Sequence, residues 1–141
     1  MIFILLIIIM INIFSDIKYR KIPNTLCLLT AIVCLIFAYQ HDYLASSLLS
    51  SIVVLVGSMV LFYFNIMGAG DGKFAAALAL AIPWQQLNIA LFLTAIIGGV
   101  LAMFYLIKYR LILRNTKQDP GLPYGVAIGL GFFIPIFMHS Y

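Results

Sequence analysis

Long apolar runs alternate with short polar breaks along the whole chain. The first run covers Met1 to about Asp16 and gives way to the polar segment DIKYRKIPN. Thr25 to Tyr39 is a second run, closed by Gln40, His41 and Asp42. A third extends from Tyr43 to about Asn65, ahead of IMGAGDGK, and the last from Leu122 to Met138. A membrane-spanning helix needs about 20 apolar residues, within roughly 17–25. The third run meets that comfortably; the first, second and last are short but sufficient.

Phe74 to Ile107 carries no charge over 34 residues. As one helix, at ~1.5 Å per residue, it would be roughly 50 Å long, against a hydrocarbon core of about 30 Å. Pro83-Trp84-Gln85-Gln86 is the natural place for a turn, because proline interrupts a helix and tryptophan favours the membrane surface. The stretch then divides into a short helix, Phe74 to Ile82, and a longer one, about Leu87 to Ile107. The expected architecture is an all-α integral membrane protein, one domain over residues 1–141. It is a bundle of about six transmembrane helices with both termini on the non-cytoplasmic side. The short fourth helix cannot cross a normal bilayer alone and is expected to be shielded inside the bundle or to sit where the membrane thins.

Composition supports a membrane protein directly. Hydrophobic residues make up 65% of the 141 positions and charged residues 9%, where soluble domains carry roughly 25% charged residues. Met1 to Phe14 resembles the apolar part of a signal peptide. No basic residue precedes it and no small-residue cleavage site follows, so it is read as an uncleaved helix. Cys27 and Cys34, seven positions apart within one run, read as small buried hydrophobes rather than a disulfide or metal pair.

The net charge is +4, yet the basic residues lie in the gaps between runs and give no nucleic-acid stripe. With six spans, Lys18, Arg20, Lys21, Lys73, Lys108, Arg110, Arg114 and Lys117 all fall on one side. A single span over Phe74 to Ile107 would move the last four across. The positive-inside rule therefore favours six helices and makes the basic side cytoplasmic.

Of the four acidic residues, Asp42 reads as a solvated turn beside His41, and Asp119, before Pro120-Gly121, as a turn or cap. Asp16 and Asp71 stand at junctions of apolar and polar sequence, where a carboxylate is partly desolvated and costly unless paired. Each has a plain structural explanation, in a neighbouring basic residue or a helix cap. Asp71, however, lies in Gly68-Ala69-Gly70-Asp71-Gly72-Lys73, and glycines let a second backbone approach closely, as a peptidase substrate must. Two carboxylates sharing a site do not both ionise easily. One can then activate water while the other polarises a carbonyl. His41 and His139 appear as lone residues on the opposite side, so no metal and no cofactor is expected.

GAGDGKFAAAL resembles the GxGDxK motif of type IV prepilin peptidases, which are GxGD-type membrane aspartic peptidases. DIKYRKIPN resembles the segment that carries the family's first catalytic aspartate, and LPYGVAIGLG its Pro-Tyr-Gly-Val-Ala element. The match is closest to short members that process Flp-type pilins of tight-adherence systems. The chain has no paired CxxC loop, so N-methylation is not expected. The resemblance implies that Asp16 and Asp71 are catalytic. It also implies motif or substrate-binding roles for Gly68, Gly70, Gly72, Lys73, Pro23, Asn24, Pro123, Tyr124 and Gly125. The implied substrate is a prepilin or pseudopilin, cut at the cytoplasmic face of the inner membrane, with components of a pilus or secretion assembly as further partners.

Helix ends suggest a division of labour. Asp71 at the start of the fourth helix should ionise more readily than Asp16 at the end of the first, because the helix dipole favours an anion at an N-terminus. For Gly125 and Gly129, which with Gly121 recur every four residues, helix packing is the preferred role. Two other readings use the same residues: a small ion- or proton-coupled transporter, and a structural subunit of a secretion complex.

Overall fold

The computed structural model describes residues 1–108, 110 and 123–141, and its helices are α1 (Ile2–Tyr19), α2 (Asn24–Gln40), α3 (Leu44–Tyr63), α4 (Ala69–Ala79), α5 (Trp84–Ile107) and α6 (Tyr124–Ser140). Arg114, Lys117, Asp119 and Gly121 lie outside the described residues.

Three helix ends are closed by a residue in the left-handed region. Arg20 (φ 54°) ends α1, and its N–H donates to the Asp16 carbonyl at 3.0 Å. Asp42 (φ 59°) ends α2, where the Tyr43 N–H reaches back to the Ala38 carbonyl at 3.3 Å. Asn65 (φ 56°) does the same for α3, with Ile66 N–H on the Leu61 carbonyl at 3.0 Å. These bonds satisfy carbonyls that a helix C-terminus leaves without partners. Asp42 is thus the exposed turn residue that the sequence suggested.

The break after α4 comes earlier than expected. The chain turns over residues 80–83, and Trp84, Gln85 and Gln86 form the first turn of α5. Pro83 is extended at the N-cap (φ −66°, ψ 154°), where a missing N–H costs nothing. The Trp84 N–H donates to Ser46 Oγ at 2.7 Å. The short fourth helix also begins five residues before Phe74, at Ala69, so the glycine motif lies within its first turns.

α4 is the core of the bundle. It packs against α3, α2 and α6, and Phe74, Leu78, Ala79, Ala81 and Ile82 are all fully buried. The shielding expected for a helix too short to cross a bilayer is therefore present. Cys27 and Cys34 are buried free thiols in α2. The outward faces remain apolar: on α5, Phe92, Met103 and Phe104 are each about two thirds exposed (66%, 64% and 68%). In water such surface would cost about 25 cal/mol per Å²; against lipid tails it costs nothing. α1, α3 and α5 are long and apolar enough to cross a membrane, while α2 and α6, of 17 residues each, are shorter apolar helices.

Contacts between helix ends define two poles. At one, Arg20 meets Tyr105, Asp16 meets Gly125, Gly70 packs on Ile22, and Lys73 reaches Asn24. At the other, Tyr43 donates to the Ala81 carbonyl, Trp84 to Ser46, and Gln86 meets His139. Ser58 of α3 lies against Gly72 of α4. From there α3 continues to Tyr63, about 8 Å further along its axis. The early start of α4 therefore leaves Asp71 recessed below the end of its neighbour.

Candidate active site

The recess is a cavity of about 430 Å³ at the first pole, lined by Asp16, Arg20, Lys21, Ile22, Asn24, Gly68, Ala69, Gly70, Asp71 and Lys73. Asp16 comes from the last turn of α1 and Asp71 from the first turn of α4. Five of the residues singled out in the sequence besides the aspartates behave differently from the other four. Gly68, Gly70, Asn24 and Lys73 line the cavity with both carboxylates. Gly72 faces α3, where a Cβ would come within 2.7 Å of Ser58 Oγ. Pro23 and Pro123 are the N-caps of α2 and α6. Tyr124 faces an apolar groove instead, and Gly125 touches Asp16 from behind the cavity.

Asp16 is 5% exposed, and its Oδ2 accepts a buried hydrogen bond of 2.9 Å from the Gly125 N–H. Gly125 lies in the first turn of α6, where backbone N–H groups have no partner within the helix. Asp71 is half-buried and its carboxylate accepts the N–H of Gly68, the N-cap of its own helix. This is the backbone half of a capping box. A Cβ at Gly68 would stand 3.1 Å from Asp71 Oδ2, so a side chain there would crowd the acid.

α4, with 11 residues, is too short to cross a membrane on its own, and Asp71 at its first turn opens to the cavity. Burial first, and then the charge of Asp16, push the Asp71 carboxyl up to about 6, against the pull of the Gly68 N–H. The helix-end asymmetry expected from sequence is gone, because each carboxylate takes a backbone N–H at a helix N-terminus. The helix-end argument therefore no longer ranks the two acids, and the like charges in one recess disfavour ionising both together.

The cavity's cations belong to its walls. Arg20 donates to the Tyr105 hydroxyl at 3.2 Å, with its guanidinium 5.7 Å from that ring. Lys73 Nζ donates to Asn24 Oδ1 at 3.3 Å. Sequence reasoning counted Arg20 and Lys21 as topology charges and as charges that could balance Asp16, not as walls of a cavity, and did not single out Ile22. The one available signal was the tight Asp16-to-Ile22 spacing, which folds these residues back over the end of α1. Beside the polar recess runs an apolar groove made of two adjoining cavities, about 510 and 350 Å³, that share Leu61, Met67, Thr94, Ala95 and Ile128. Its Met67 and Tyr124 precede Gly68 and Gly125, so the groove reaches the back of the carboxylate pair.

At the second pole His41 and His139 are not the lone residues expected. Their ring centroids are 6.3 Å apart, the Tyr43 ring is 5.1 Å from His139, and His139 Nδ1 lies 3.0 Å from Gln86 Nε2.

The sequence profile of the type IV leader peptidase family matches residues 1–103, which include both aspartates. Two prepilin leader peptidase/N-methyltransferases of Aeromonas salmonicida, one from strain A449, are each 31% identical to the chain over 70 residues. That segment is 50% of this chain, and the chain spans only 22% of the length of those relatives. No solved structure matches the chain.

Proposed function

Since the chain belongs to the type IV leader peptidase family, we propose that residues 1–141 act as one membrane aspartic endopeptidase domain. It removes the leader from Flp-like prepilins or pseudopilins, using Asp16, Asp71 and water. The observation that carries this reading is a pair of carboxylates, 55 positions apart in sequence, lining one polar recess in an otherwise apolar bundle.

In the proposed reaction Asp16, ionised, takes a proton from water as the oxygen attacks the scissile carbonyl carbon. Asp71, protonated, gives its proton to the carbonyl oxygen, and a neutral gem-diol forms. Asp71, now ionised, takes a proton back from one hydroxyl as the C–N bond breaks, and Asp16 protonates the leaving nitrogen. One water is consumed and the pair returns to its starting state. General acid–base catalysis of this kind contributes roughly 10²–10⁴-fold, and the low-dielectric walls strengthen its electrostatics.

The membrane arrangement follows from the two poles. We place the recess at the cytoplasmic face of the inner membrane, because the basic residues gather at that pole. α2, α4 and α6 complete a six-helix passage with both termini on the far side. The leader and scissile bond enter the polar recess, and the substrate's apolar helix lies in the neighbouring groove between α3 and α5. Gly57 and Gly99 line this groove, and a Cβ at either would meet nothing within 4 Å.

Co-expression with a candidate Flp-type prepilin tests the reading. The wild type should yield the shorter product on a gel, and Asp16→Asn and Asp71→Asn should each abolish it while still inserting. Cleavage by either variant would end the assignment of that aspartate as a catalytic residue. Gradient-dependent flux that survives glutamate at both positions would support a transporter instead.

A further inference from the structure

We propose that the first turn of α6 positions the catalytic pair: the Gly125 N–H holds Asp16 in place, and only glycine at 125 leaves room for it. This rests on the reading of Asp16 and Asp71 as the working carboxylates. Three observations carry it. The Gly125 N–H to Asp16 Oδ2 bond is buried, 2.9 Å long, and joins residues 109 positions apart. α6 has no side-chain cap of its own, so a carboxylate from α1 satisfies a donor that a local Ser or Asp normally would. A Cβ at position 125 would fall 2.7 Å from Asp16 Oδ2, 3.0 Å from Cγ and 3.1 Å from Cβ. It would therefore meet the whole acid, not the tip of a flexible chain.

The contrast with Gly129, one turn further along, separates positioning from packing. A Cβ there would meet Ile13 and Ile9 of α1, at 2.8 and 3.1 Å. Gly129 brings two apolar helices together, as the sequence suggested for both glycines. Gly125 brings a helix N-terminus to an acid. The bond ties Asp16 Oδ2 to the start of α6, while Asp16 also lines the recess. The charged groups that share the recess with Asp16 are Arg20 and Lys21, at and just beyond the end of its own helix, and Asp71 and Lys73 of α4. From α2 the recess receives the uncharged Asn24, and from α6 the contact is the Gly125 backbone.

Gly125→Ala in the full chain should lower kcat by about 10²-fold, the cost of an acid displaced by ~1 Å, with KM within about twofold. A purely structural glycine would instead lower the amount of folded enzyme and leave kcat per folded molecule unchanged. If Gly125→Ala does not fold, glycolic acid at 125, introduced by nonsense suppression, removes the N–H and adds no atoms. That ester should lower kcat and move the acid limb of the pH–rate profile to higher pH, because a carboxylate that loses a donor is easier to protonate. Unchanged kcat and an unmoved acid limb in the ester, or kcat within threefold of wild type in Gly125→Ala, would overturn the proposal. If the wild type itself does not cut the prepilin, the peptidase reading fails and this inference fails with it. Wild-type cleavage with insensitive variants removes this inference alone.

Discussion

Asp71 sits where burial and a like charge act together, and both favour its neutral form. A carboxyl raised from 3.8 to about 6 keeps its proton in the folded chain between those values, while the unfolded chain has already lost it. Stability from this group is therefore present at low pH and falls as pH rises through that window. Activity should follow the same proton. kcat/KM should decline as pH is raised above about 6, approaching tenfold per pH unit; a profile flat from pH 5 to 8 would exclude Asp71 as the acid. In Asp16→Asn the neighbouring charge is gone, and the Asp71 midpoint should drop, as followed by carbon-13 NMR of its carboxyl. These residues were partly legible in sequence. The glycines around Asp71 marked an acid built for close approach, and Gly68 and Gly70 do line the recess. The partner of Asp16 was not legible, because a backbone N–H has no residue signature and lies 109 positions away. That omission left the helix-end argument for the order of ionisation without its basis.

Helix placement was read well because each apolar run had to satisfy its own backbone in lipid, so runs and helices coincide to within a few residues. The start of α4 was read less well. Its first turn is glycine-rich and polar, which looks like a loop, yet the buried face begun by Gly72 and Phe74 holds it helical against α3. Its early start and short length create the recess. Two element-level predictions follow from the ends and contacts of helices. Asp42 holds a left-handed conformation that glycine adopts freely, so Asp42→Gly should stabilise the protein by a few tenths to about 1 kcal/mol. Thermal unfolding in detergent would record this as a higher midpoint, and a lower one would refute the strain. Gly131 lies off the four-residue glycine repeat and was not picked out from sequence. A Cβ there would overlap Thr94, approaching its backbone N at 2.7 Å. Gly131→Ala should separate α5 from α6 and cost about 1–3 kcal/mol, seen in the same melt; an unchanged midpoint would show that the helices part without penalty.

Across the whole molecule, the alternation of helix directions sends the carboxylate pair to one pole and a histidine–aromatic cluster to the other. Asp16, Asp71 and Lys73 sit with Arg20 and Lys21 at the first pole; His41, Tyr43, Gln86 and His139 gather at the second. The charge count suggested this polarity before any contact was known, since all basic residues fell on one side only if the uncharged 34-residue stretch turned back. The turn at residues 80–83 supplies that reversal. Orientation in the membrane then becomes a labelling experiment with opposite outcomes for the two poles. In a background with Cys27 and Cys34 replaced by alanine, a cysteine at His41 should react in intact cells with a maleimide that crosses the outer but not the inner membrane. A cysteine at Lys21 should react only after the inner membrane is opened. Both sites are exposed at helix boundaries, so access, not burial, decides the result. The reverse pattern would put the carboxylate pair on the far side of the inner membrane, away from substrates that have yet to leave the cytoplasm. Labelling of both sites in intact cells would mean that the chain does not adopt one orientation. Only the expected pattern puts the recess where an unprocessed leader, still on the side of its synthesis, can reach it.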